Sequence, residues 1–316
     1  MLNKSQNPER IATRVAYGNT LAEFGDRYDY FVLDADLSGS TQTAIFAKKY
    51  PERFINCGIA EENMISVAAG IAATGVPAFA SSFAMFACGR AYEQIRNSVA
   101  HTNLPVRICA SHAGITVGED GATHQFCEDI ALMRSCPGMT VINPADAVEA
   151  RAAVMSTFDY NGPVYMRLGR FAVPVIFDKD TYVFEPGKAV VLREGDDVAI
   201  FATGIMVAAA LEAAEKLASE GISAAVINVH TIKPIDKETI VKYAAKTGKV
   251  VTAEEHSIVG GLGSAVAEVL SEECPTRMAR VGIEDVFGKS ASASVLLDYY
   301  GLNADGIAAK VRGLLK

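Results

Sequence analysis

The sequence lacks the features of several protein classes. Acidic residues outnumber basic ones, and a formal net charge of −8 is unsuited to binding nucleic acid, which requires a basic face. The six cysteines form no CxxC pair and no cysteine–histidine cluster, so neither a zinc site nor a disulfide framework is indicated. Most of them lie in apolar runs, which is typical of small core residues in a protein of the reducing cytoplasm.

The sequence also lacks a secretion signal and a convincing membrane span. The first residues, MLNKSQNPER, are polar, so no signal peptide is expected. Residues 63–89 carry no charge and are long enough to cross a bilayer. They are rich in Ala, Gly and Ser rather than Leu, however, and Gly75-Val76-Pro77 interrupts them. The segment is therefore predicted to form a tightly packed interior helix followed by a buried strand, with no insertion into a membrane.

What is present is a repeated alternation of helical and extended patterns. The 316 residues, of which 50% are apolar, suffice for two domains with filled cores. The predicted strands are continuous apolar runs separated by helices, which favours parallel sheets covered on both faces. The sequence therefore predicts an α/β fold with two doubly wound domains, each with a mostly parallel sheet.

The pattern predicts the following elements. Strands are expected at residues 30–36, 53–59, 77–83, 104–110, 139–144 and 163–169, and then at 197–203, 223–229, 249–255 and 277–283. Helices are expected at residues 11–25, 41–49, 61–74, 86–102, 124–135 and 146–157, and then at 205–220, 236–246 and 263–272, with a helical tail ending at Lys316. Residues 170–197 contain prolines and acidic residues and are predicted to form the linker.

A glycine-rich segment, SHAGITVGEDGATH (residues 111–124, the glycine loop), follows the apolar run LPVRICA. It places two imidazoles, His112 and His124, and the carboxylate of Asp120 at the end of a predicted strand. Ligands bind at the carboxyl ends of strands in parallel sheets, and glycines allow close approach to the backbone. A strand-to-helix turn with a capping Asp and a chance His is the alternative interpretation.

A second candidate site begins the helix of small residues. Glu61 and Glu62 in GIAEEN precede MISVAAGIAATG. Acidic residues in a first turn are stabilised by the helix dipole, which explains one Glu. Ala and Gly along this helix let another surface approach closely, which suggests a subunit interface.

Four segments together resemble the C-terminal half of a transketolase. They are GIAEEN at residues 58–63, SSFAMFACGRAYEQIRN at 81–97, GEDGATHQ at 118–125, and TIKPID with TAEEHSIVGGLGSA at 231–236 and 252–265. The resemblance covers nearly the whole chain and implies a pyrimidine-binding domain at residues 1–172 and a C-terminal domain at 187–316. Transketolases use thiamine diphosphate to move a two-carbon ketol unit from a ketose to an aldose, usually both phosphorylated.

The resemblance assigns the residues of the cofactor site. It implies that the Glu61 carboxylate bonds the pyrimidine N1′ and drives the imino tautomer from which the cofactor activates its own carbon. Phe83 and Phe86 would form an aromatic wall around the pyrimidine, and Asp36 would also contact the cofactor. Without the resemblance, a Phe pair would be interpreted as part of the core.

The same resemblance assigns the substrate channel. His112 and His124 would line it, Asp120 would bond a sugar hydroxyl, and His124 would also move protons at the carbonyl. Phosphate capture is assigned to Arg14, Ser40, His112 and Arg170, since the planar guanidinium can hold two phosphate oxygens at once.

Two positions depart from the usual transketolase pattern. Ala113-Gly114 stands where the family usually has Asp-Ser, and this form occurs in the related deoxyxylulose-phosphate synthases. Arg90, a further candidate substrate-binding residue, also resembles that branch. The donor is therefore open between a ketose and pyruvate.

One family element is missing. Thiamine-diphosphate enzymes hold the diphosphate through Mg²⁺ bound by a GDG segment and a later Asn, and this chain contains no GDG. An anionic diphosphate would be held poorly without that metal. The resemblance therefore implies a split enzyme: this chain supplies no metal ligand, and an N-terminal transketolase subunit supplies Mg²⁺ and diphosphate binding, giving an α₂β₂ assembly.

Two other interpretations remain at this stage. A 2-oxoacid dehydrogenase E1 β-subunit shares the domain order and the need for a partner, but it typically carries an HSQ-type element where this chain has DGATHQ. A non-catalytic assembly or regulatory subunit would not need Glu61, Asp120 and His124 together. His101, His230 and His256 are expected at surface or loop positions.

Overall fold

The computed structural model describes residues 2, 3, 5 and 8–316 and shows two α/β units. The strands of the first half are β1 (Arg10–Ile11), β2 (Phe31–Asp34), β3 (Phe54–Asn56), β4 (Ala78–Ser81), β5 (Val106–Ala110), β6 (Thr140–Ile142), β7 (Val164–Arg167) and β8 (Val173–Pro174). Its helices are α1 (Thr13–Phe24), α2 (Ser38–Thr41), α3 (Ala44–Lys49), α4 (Glu61–Ala73), α5 (Tyr92–Gln94), α6 (Asp129–Ser135) and α7 (Ala147–Ser156). π-helical turns, Met85–Arg90 and Ile95–Ala100, flank α5, and 3₁₀ turns lie at Pro51–Arg53 and Ile115–Val117.

The second half contains a shorter alternation of the same kind. Its strands are β9 (Val190–Arg193), β10 (Val198–Ala202), β11 (Ala224–Asn228), β12 (Thr231–Lys233), β13 (Lys249–Ser257) and β14 (Arg277–Ile283). Its helices are α8 (Met206–Ala218), α9 (Lys237–Thr247), α10 (Leu262–Glu273), α11 (Ala293–Tyr299) and α12 (Ala304–Leu315).

The first sheet has seven strands in the order β12-β6-β7-β5-β4-β2-β3. Its strands pair in parallel except for β12, which is antiparallel to β6. Successive side chains of a strand face opposite sides, so Leu33 packs in the cluster that contains α4 and Val32 packs in the cluster that contains α1, α3 and α7. Helices therefore cover both faces, which explains why the central strands are apolar without alternation.

The second sheet has five strands in the order β14-β13-β10-β11-β9. Only β9 runs antiparallel to its neighbour. Residues of α8 and α12 pack on one face, whereas residues of α9 and α10 belong to an apolar cluster that also contains α4 and β5 of the first half. The two halves thus share one core, and the predicted α/β class with two doubly wound, mostly parallel sheets is confirmed.

The structure differs from the sequence prediction in several elements. β8 and β9 lie within the predicted linker, and β12 was not predicted because its partner is in the other half of the chain. The helix predicted from residue 124 begins at Asp129, since the glycine loop continues through turns to that point. The helix predicted at 86–102 is made largely of π turns. The domain limits, residues 1–172 and 187–316, stay a prediction.

Within the described part of the chain, no helix is long and apolar enough to cross a membrane.

Candidate active site

The polar residues of the site follow four parallel strands of the first sheet. Phe83 follows β4, His112 follows β5, Arg170 follows β7, and the turn that contains Ser40 follows β2. Phe83 and Ser111 continue the pairing of β4 with β5 beyond the strands themselves. Because the carboxyl ends of parallel strands meet at one edge of a sheet, these side chains lie together at that edge, and the space beside them is called the cleft.

Glu61 is the buried acid of this cleft. It is the first residue of α4 and is 2% exposed. Ser82 Oγ donates to Glu61 Oε1 at 3.4 Å, whereas Oε2 has no hydrogen-bond partner among the described residues. Buried polar atoms in proteins are normally paired, so an unpaired carboxylate oxygen here is available to a donor on a ligand.

Arg90 lies on the open side of this carboxylate. Its Nη1 is 3.7 Å from Glu61 Oε2, and its Nε donates to Glu62 Oε1 at 3.4 Å. The guanidinium is half exposed, and at 3.7 Å it forms an ion pair with Oε2 but no hydrogen bond. Arg90 thus lies beside the predicted cofactor residue.

Four rings line the cleft next to Glu61. Phe83 stacks on His112 with centroids 3.8 Å apart and an interplanar angle of 23°. Phe86 lies 6.2 Å from Phe83 and meets His124 edge-on at 5.3 Å. The structure therefore brings together both predicted phenylalanines and both predicted histidines, and it presents flat apolar surfaces on which a planar ligand could pack.

The protonation state of His112 follows from its neighbours. Its Nδ1 lies 2.9 Å from Ser111 Oγ and its Nε2 lies 3.4 Å from Arg14 Nη1. A guanidinium only donates, so Nε2 is the acceptor and Nδ1 carries the proton. Burial and then the charges of Arg14 and Arg170 lower the pKa of His112 to about 3, so the ring is neutral at physiological pH.

Two guanidinium groups make the cleft suitable for an anion. Arg14 Nη1 donates to the backbone oxygen of Ser40 at 2.6 Å, and its Nε has no partner among the described residues. Burial and the charge of Arg170 lower the pKa of Arg14. Arg170 donates to the backbone oxygen of Val117 and lies 3.2 Å from Glu119 Oε2. An anion that reached both cations would relieve this repulsion.

Asp36 lies on the turn after β2, exposed and with a positive φ of 63°. That turn is held by a neighbouring residue, Asp34, which was not predicted from the sequence. The buried carboxylate of Asp34 accepts from Leu37 N at 2.6 Å and from the hydroxyls of Thr41 and Thr43 at 2.6 and 2.9 Å. An Asp inside the apolar strand YFVLDAD was the signal that could have identified it.

Asp120 lies apart from the other predicted residues. It is exposed at the turn of the glycine loop and forms no hydrogen bond or ion pair with the described residues, whereas His124 is half buried. The loop bends at Gly114, Gly118 and Gly121, which all have positive φ. The structure thus brings His124 to the aromatic wall and leaves Asp120 exposed to solvent.

Two of the three remaining histidines are buried: His230 lies in a loop between β11 and β12, one of the positions expected, whereas His256 lies within β13, so its expected surface or loop position was wrong. His230 and His256 are fully buried, while His101 is exposed as expected. His256 lies 3.9 Å from Asp129 Oδ1 and 3.7 Å from Glu254 Oε2. The burial arises where the second half of the chain docks on the first, and a pattern of local hydrophobicity does not report such docking.

The residues present fit the cofactor that the resemblance implies. The unpaired Glu61 oxygen suits a ring nitrogen donor, and the Phe83 and Phe86 rings suit a planar heterocycle. Among the described residues, no group of three or more His, Cys, Asp or Glu side chains is arranged to hold a metal ion. Fold and cleft together define an α/β protein with aromatic rings, a buried acid and two arginines at the strand ends of its first sheet, a set that suits a planar ring and an anion.

Comparison with known proteins identifies the family. Residues 9–175 match the transketolase pyrimidine-binding domain, and residues 187–307 match the transketolase C-terminal domain. The chain therefore belongs to the transketolase family, whose members depend on thiamine diphosphate.

Several relatives have nearly the same length as this chain. A putative transketolase C-terminal section from Methanocaldococcus jannaschii is 53% identical over 306 residues, which is 96% of each protein. A 6-deoxy-6-sulfo-D-fructose transketolase subunit from Clostridium sp. (strain MSTE9) is 48% identical, over 93% of this chain and 91% of that protein. A solved structure described as a split-gene transketolase, inactive β4 tetramer, is 55% identical with a TM-score of 0.90, over 96% of this chain and 98% of that one.

Proposed function

We propose that this chain is the C-terminal subunit of a split thiamine-diphosphate-dependent transketolase. It would transfer a two-carbon ketol unit between ketose and aldose phosphates together with an N-terminal subunit. The observation that carries the proposal is Glu61, whose buried Oε2 lacks a hydrogen-bond partner among the described residues and lies on the same side of the fold as an aromatic wall and an arginine pair. Buried carboxylate oxygens usually have a hydrogen-bond partner, so Oε2 is available to a donor on a ligand.

Glu61 and the two phenylalanines would hold the pyrimidine. The Glu61 carboxylate would accept a hydrogen bond from the ring N1′, and its burial would make that bond strong. Phe83 and Phe86 would flank the ring, and Asp36 would contact the cofactor from the turn after β2. The chemistry that bound thiamine diphosphate supplies is a nucleophilic carbon that takes up the ketol unit.

The remaining residues would bind the sugar phosphate. Arg14 and Arg170 would hold the phosphate, with His112 and Ser40 beside them. Neutral His112 donates from Nδ1 to Ser111, so its Nε2 faces the Arg14 guanidinium as an acceptor. His124 would hold and release a proton at the substrate carbonyl, and Asp120 would accept from a sugar hydroxyl.

The diphosphate and its Mg²⁺ would be bound by the partner subunit. The chain has no GDG segment, and the similar solved structure is described as an inactive β4 tetramer of a split-gene transketolase. The outer face of α4 exposes Asn63, Ser66 and Gly70, which supports a closely packed subunit interface in an α₂β₂ assembly. All six cysteines are unpaired, in keeping with a cytoplasmic location.

The unusual Ala113-Gly114 pair has a packing explanation. A Cβ on Gly114 would lie 2.4 Å from the Glu255 carboxylate, and the backbone there has a φ of +79°. Glycine at this position is therefore required by Glu255 and says little about the donor. The arginine pair favours a reaction with a phosphorylated sugar, and so favours a transketolase or a deoxyxylulose-phosphate synthase over a 2-oxoacid dehydrogenase E1 β-subunit.

Reconstitution tests the split enzyme directly. The purified chain with thiamine diphosphate, Mg²⁺ and a ketose phosphate should give no ketol transfer until an N-terminal subunit that carries GDG is added. Turnover by this chain alone would contradict the proposal. Offering pyruvate in place of the ketose phosphate tests the donor, and faster use of pyruvate would favour the other two families.

Glu61→Ala tests the role of the acid. The reconstituted variant should lose activity while still assembling with its partner, as checked by size-exclusion chromatography. Glu62→Ala is the matched control, because Glu62 lies on the same turn but on the surface, and it should retain most of the activity. Full activity in both Glu61→Ala and His124→Ala would instead support a non-catalytic assembly or regulatory subunit.

A further inference from the structure

The end of β13 presents two adjacent buried carboxylates to two different parts of the molecule. Glu254 accepts from Leu262 N at 2.6 Å and from Gly263 N at 2.7 Å, at the start of α10. Glu255 accepts from Thr116 N at 2.7 Å. Adjacent residues of a strand face opposite sides, so Glu254 acts within the second half and Glu255 reaches into the glycine loop of the first half.

Two hydrogen bonds connect Glu255 to the anion site, one to the Ile115–Val117 turn and one from Arg170 to that turn. Thr116 is the middle residue of the Ile115–Val117 turn. The backbone oxygen of Val117, the next residue, accepts from Arg170 Nη1. The charge of Arg170 acts in turn on Arg14 and His112. The Glu255 carboxylate, which belongs to the second half, therefore fixes the backbone of the Ile115–Val117 turn, and this backbone orients the Arg170 guanidinium.

The Glu255 side chain is held firmly enough for this role. Arg167 Nη2 donates to its backbone oxygen at 2.8 Å, and Arg167 Nη1 lies 3.9 Å from its Oε2. Gly114 packs so closely on the carboxylate that no Cβ would fit between them. The side chain is 3% exposed, so water cannot readily replace it at the Thr116 amide.

The second half also holds the other end of the same loop. Gln125 Nε2 donates to the oxygens of Ile115 and Gly118 and to that of Lys289 in the second half. The C-terminal unit thus contacts the glycine loop on two sides, although the residues assigned to chemistry all belong to the first half.

We propose that Glu255 is a positioning residue that holds the glycine loop through the Thr116 amide and thereby orients Arg170 for the phosphate of the substrate. The second half of the chain would then have a specific task in substrate selection. This inference rests on the proposed function only for the identity of the anion. The hold on the loop is a property of this chain alone.

Two variants separate the hydrogen bond from the charge. Glu255→Asp keeps the negative charge near Arg167 but is one methylene too short to reach Thr116 N. Glu255→Gln keeps the length and an acceptor oxygen but removes the charge. A positioning role predicts that the Asp variant is the more damaged of the two, whereas a role limited to balancing the charge of Arg167 predicts the reverse order.

The first measurement is amide hydrogen exchange of the isolated chain by mass spectrometry. In Glu255→Asp, peptides covering residues 113–126 should exchange roughly tenfold faster or more, because local opening becomes easier when a buried hydrogen bond is lost. Glu255→Gln should remain within roughly threefold of the wild type. Glu254→Asp is the matched control, and it should speed exchange at the start of α10 but not in the glycine loop.

The second measurement uses the reconstituted complex with a ketose phosphate and the matching unphosphorylated ketose. Glu255→Asp should raise the KM for the phosphorylated ketose roughly tenfold, with a smaller change in kcat and little change for the unphosphorylated sugar. Combining it with Arg170→Met should add little further loss, since both changes remove one interaction.

Each outcome decides the proposal. Unchanged loop exchange in Glu255→Asp, or equal losses for both sugars, would overturn it, as would greater damage in Glu255→Gln. If the wild-type complex transferred no ketol unit from any ketose phosphate, the proposed function would fail. The exchange experiment would then still show whether Glu255 holds the loop.

Discussion

The carboxyl ends of the strands serve different purposes in the two sheets. In the first sheet they open into a cleft where Glu61 Oε2 and Arg14 Nε have no partners among the described residues. In the second sheet they are covered by the first half of the chain: Asn143 N donates to the oxygen of His230 at 2.8 Å, and Thr203 Oγ1 donates to the oxygen of Asn143 at 3.3 Å. The two sheets have similar topologies, but the uncovered strand ends of the first sheet form the candidate site, whereas the covered strand ends of the second form an interface between the halves.

Removing His124, the half-buried histidine at the uncovered strand ends of the first sheet, should have the largest effect on activity. His124→Ala in the reconstituted complex is expected to lower kcat by roughly 10² to 10⁴, the usual contribution of a proton-transfer group. His101→Ala is the matched control, since this histidine is exposed and follows the π-helical turn before β5. Steady-state kinetics of both variants measures the difference, and an equal effect of the two would remove His124 from the site.

Breaking the buried ion pair between Arg167 and Asp129, where Glu255 of the second half contacts the first, should lower the stability of the fold. Arg167→Met leaves the buried Asp129, whose Oδ2 lies 2.7 Å from Arg167 Nε, without its cation. Loss of one partner of a buried pair typically lowers the free energy of unfolding by about 3 to 5 kcal/mol. Urea denaturation measures this loss. Arg312→Met, which breaks the exposed pair with Glu220, should change the midpoint very little.

The contact between the halves should also weaken with rising pH. Glu149 on α7 accepts from Asn228 Nδ2 of β11 at 2.8 Å and from Ala145 N at 2.7 Å, and burial raises its pKa to about 8. The folded protein therefore binds this proton more tightly than the unfolded chain does. The contribution to stability is present below the unfolded pKa and is lost as pH rises through about 8.

Between about pH 6 and pH 9 this loss should amount to about 2 to 3 kcal/mol in the free energy of unfolding. Glu149→Gln should flatten that part of the pH profile, whereas Glu215→Gln on the exposed side of α8 should leave its slope unchanged. Chemical denaturation at several pH values provides the profile. An identical slope in all three proteins would show that Glu149 is ionised in the fold throughout this range.

The smallest expected effect comes from the close packing of Gly204 on Asn143 at the covered strand ends of the second sheet. A Cβ on Gly204 would lie 2.7 Å from Asn143 Nδ2, and its φ is +56°. Gly204→Ala should destabilise the fold by about 2 kcal/mol, from backbone strain and overlap together. Gly221→Ala is the control, because it has a φ of +80° but open space around it. A larger loss of unfolding free energy at Gly204 than at Gly221 isolates the contact between the halves.

Most helices and strands could be predicted from the sequence because the residue patterns that indicate them are local. The strand predicted at 277–283 coincides with β14, and α4 and α7 begin within one residue of their predicted starts. β12 was not accessible, since TIK is too short to signal a strand and pairs with β6 about ninety residues earlier. Edge strands contributed by another part of the chain are determined by tertiary structure.

The residues of the site also fall into two groups, those that a sequence motif identifies and those that only the tertiary structure reveals. The residues named by motif, such as Glu61, Phe83 and His112, lie together at one edge, and their roles stay predictions. The residues that hold them in place were missed, among them Asp34 and Glu255. Glu255 accepts from the Thr116 amide and Asp34 from the Leu37 amide, among other partners, and backbone groups of this kind are identified by no residue pattern. A polar run such as EEH at the end of an apolar strand was a partial signal, because buried charges require partners.

The position of β12 determines where this protein can be divided. A fragment that ended near residue 175 would keep six strands of the first sheet but would leave the hydrogen-bonding edge of β6 uncovered. Exposed edges of this kind recruit strands from other molecules and lead to aggregation. Attempts to express the N-terminal portion separately should therefore yield insoluble material, unless the cut is moved or residues 231–233 are restored at that edge.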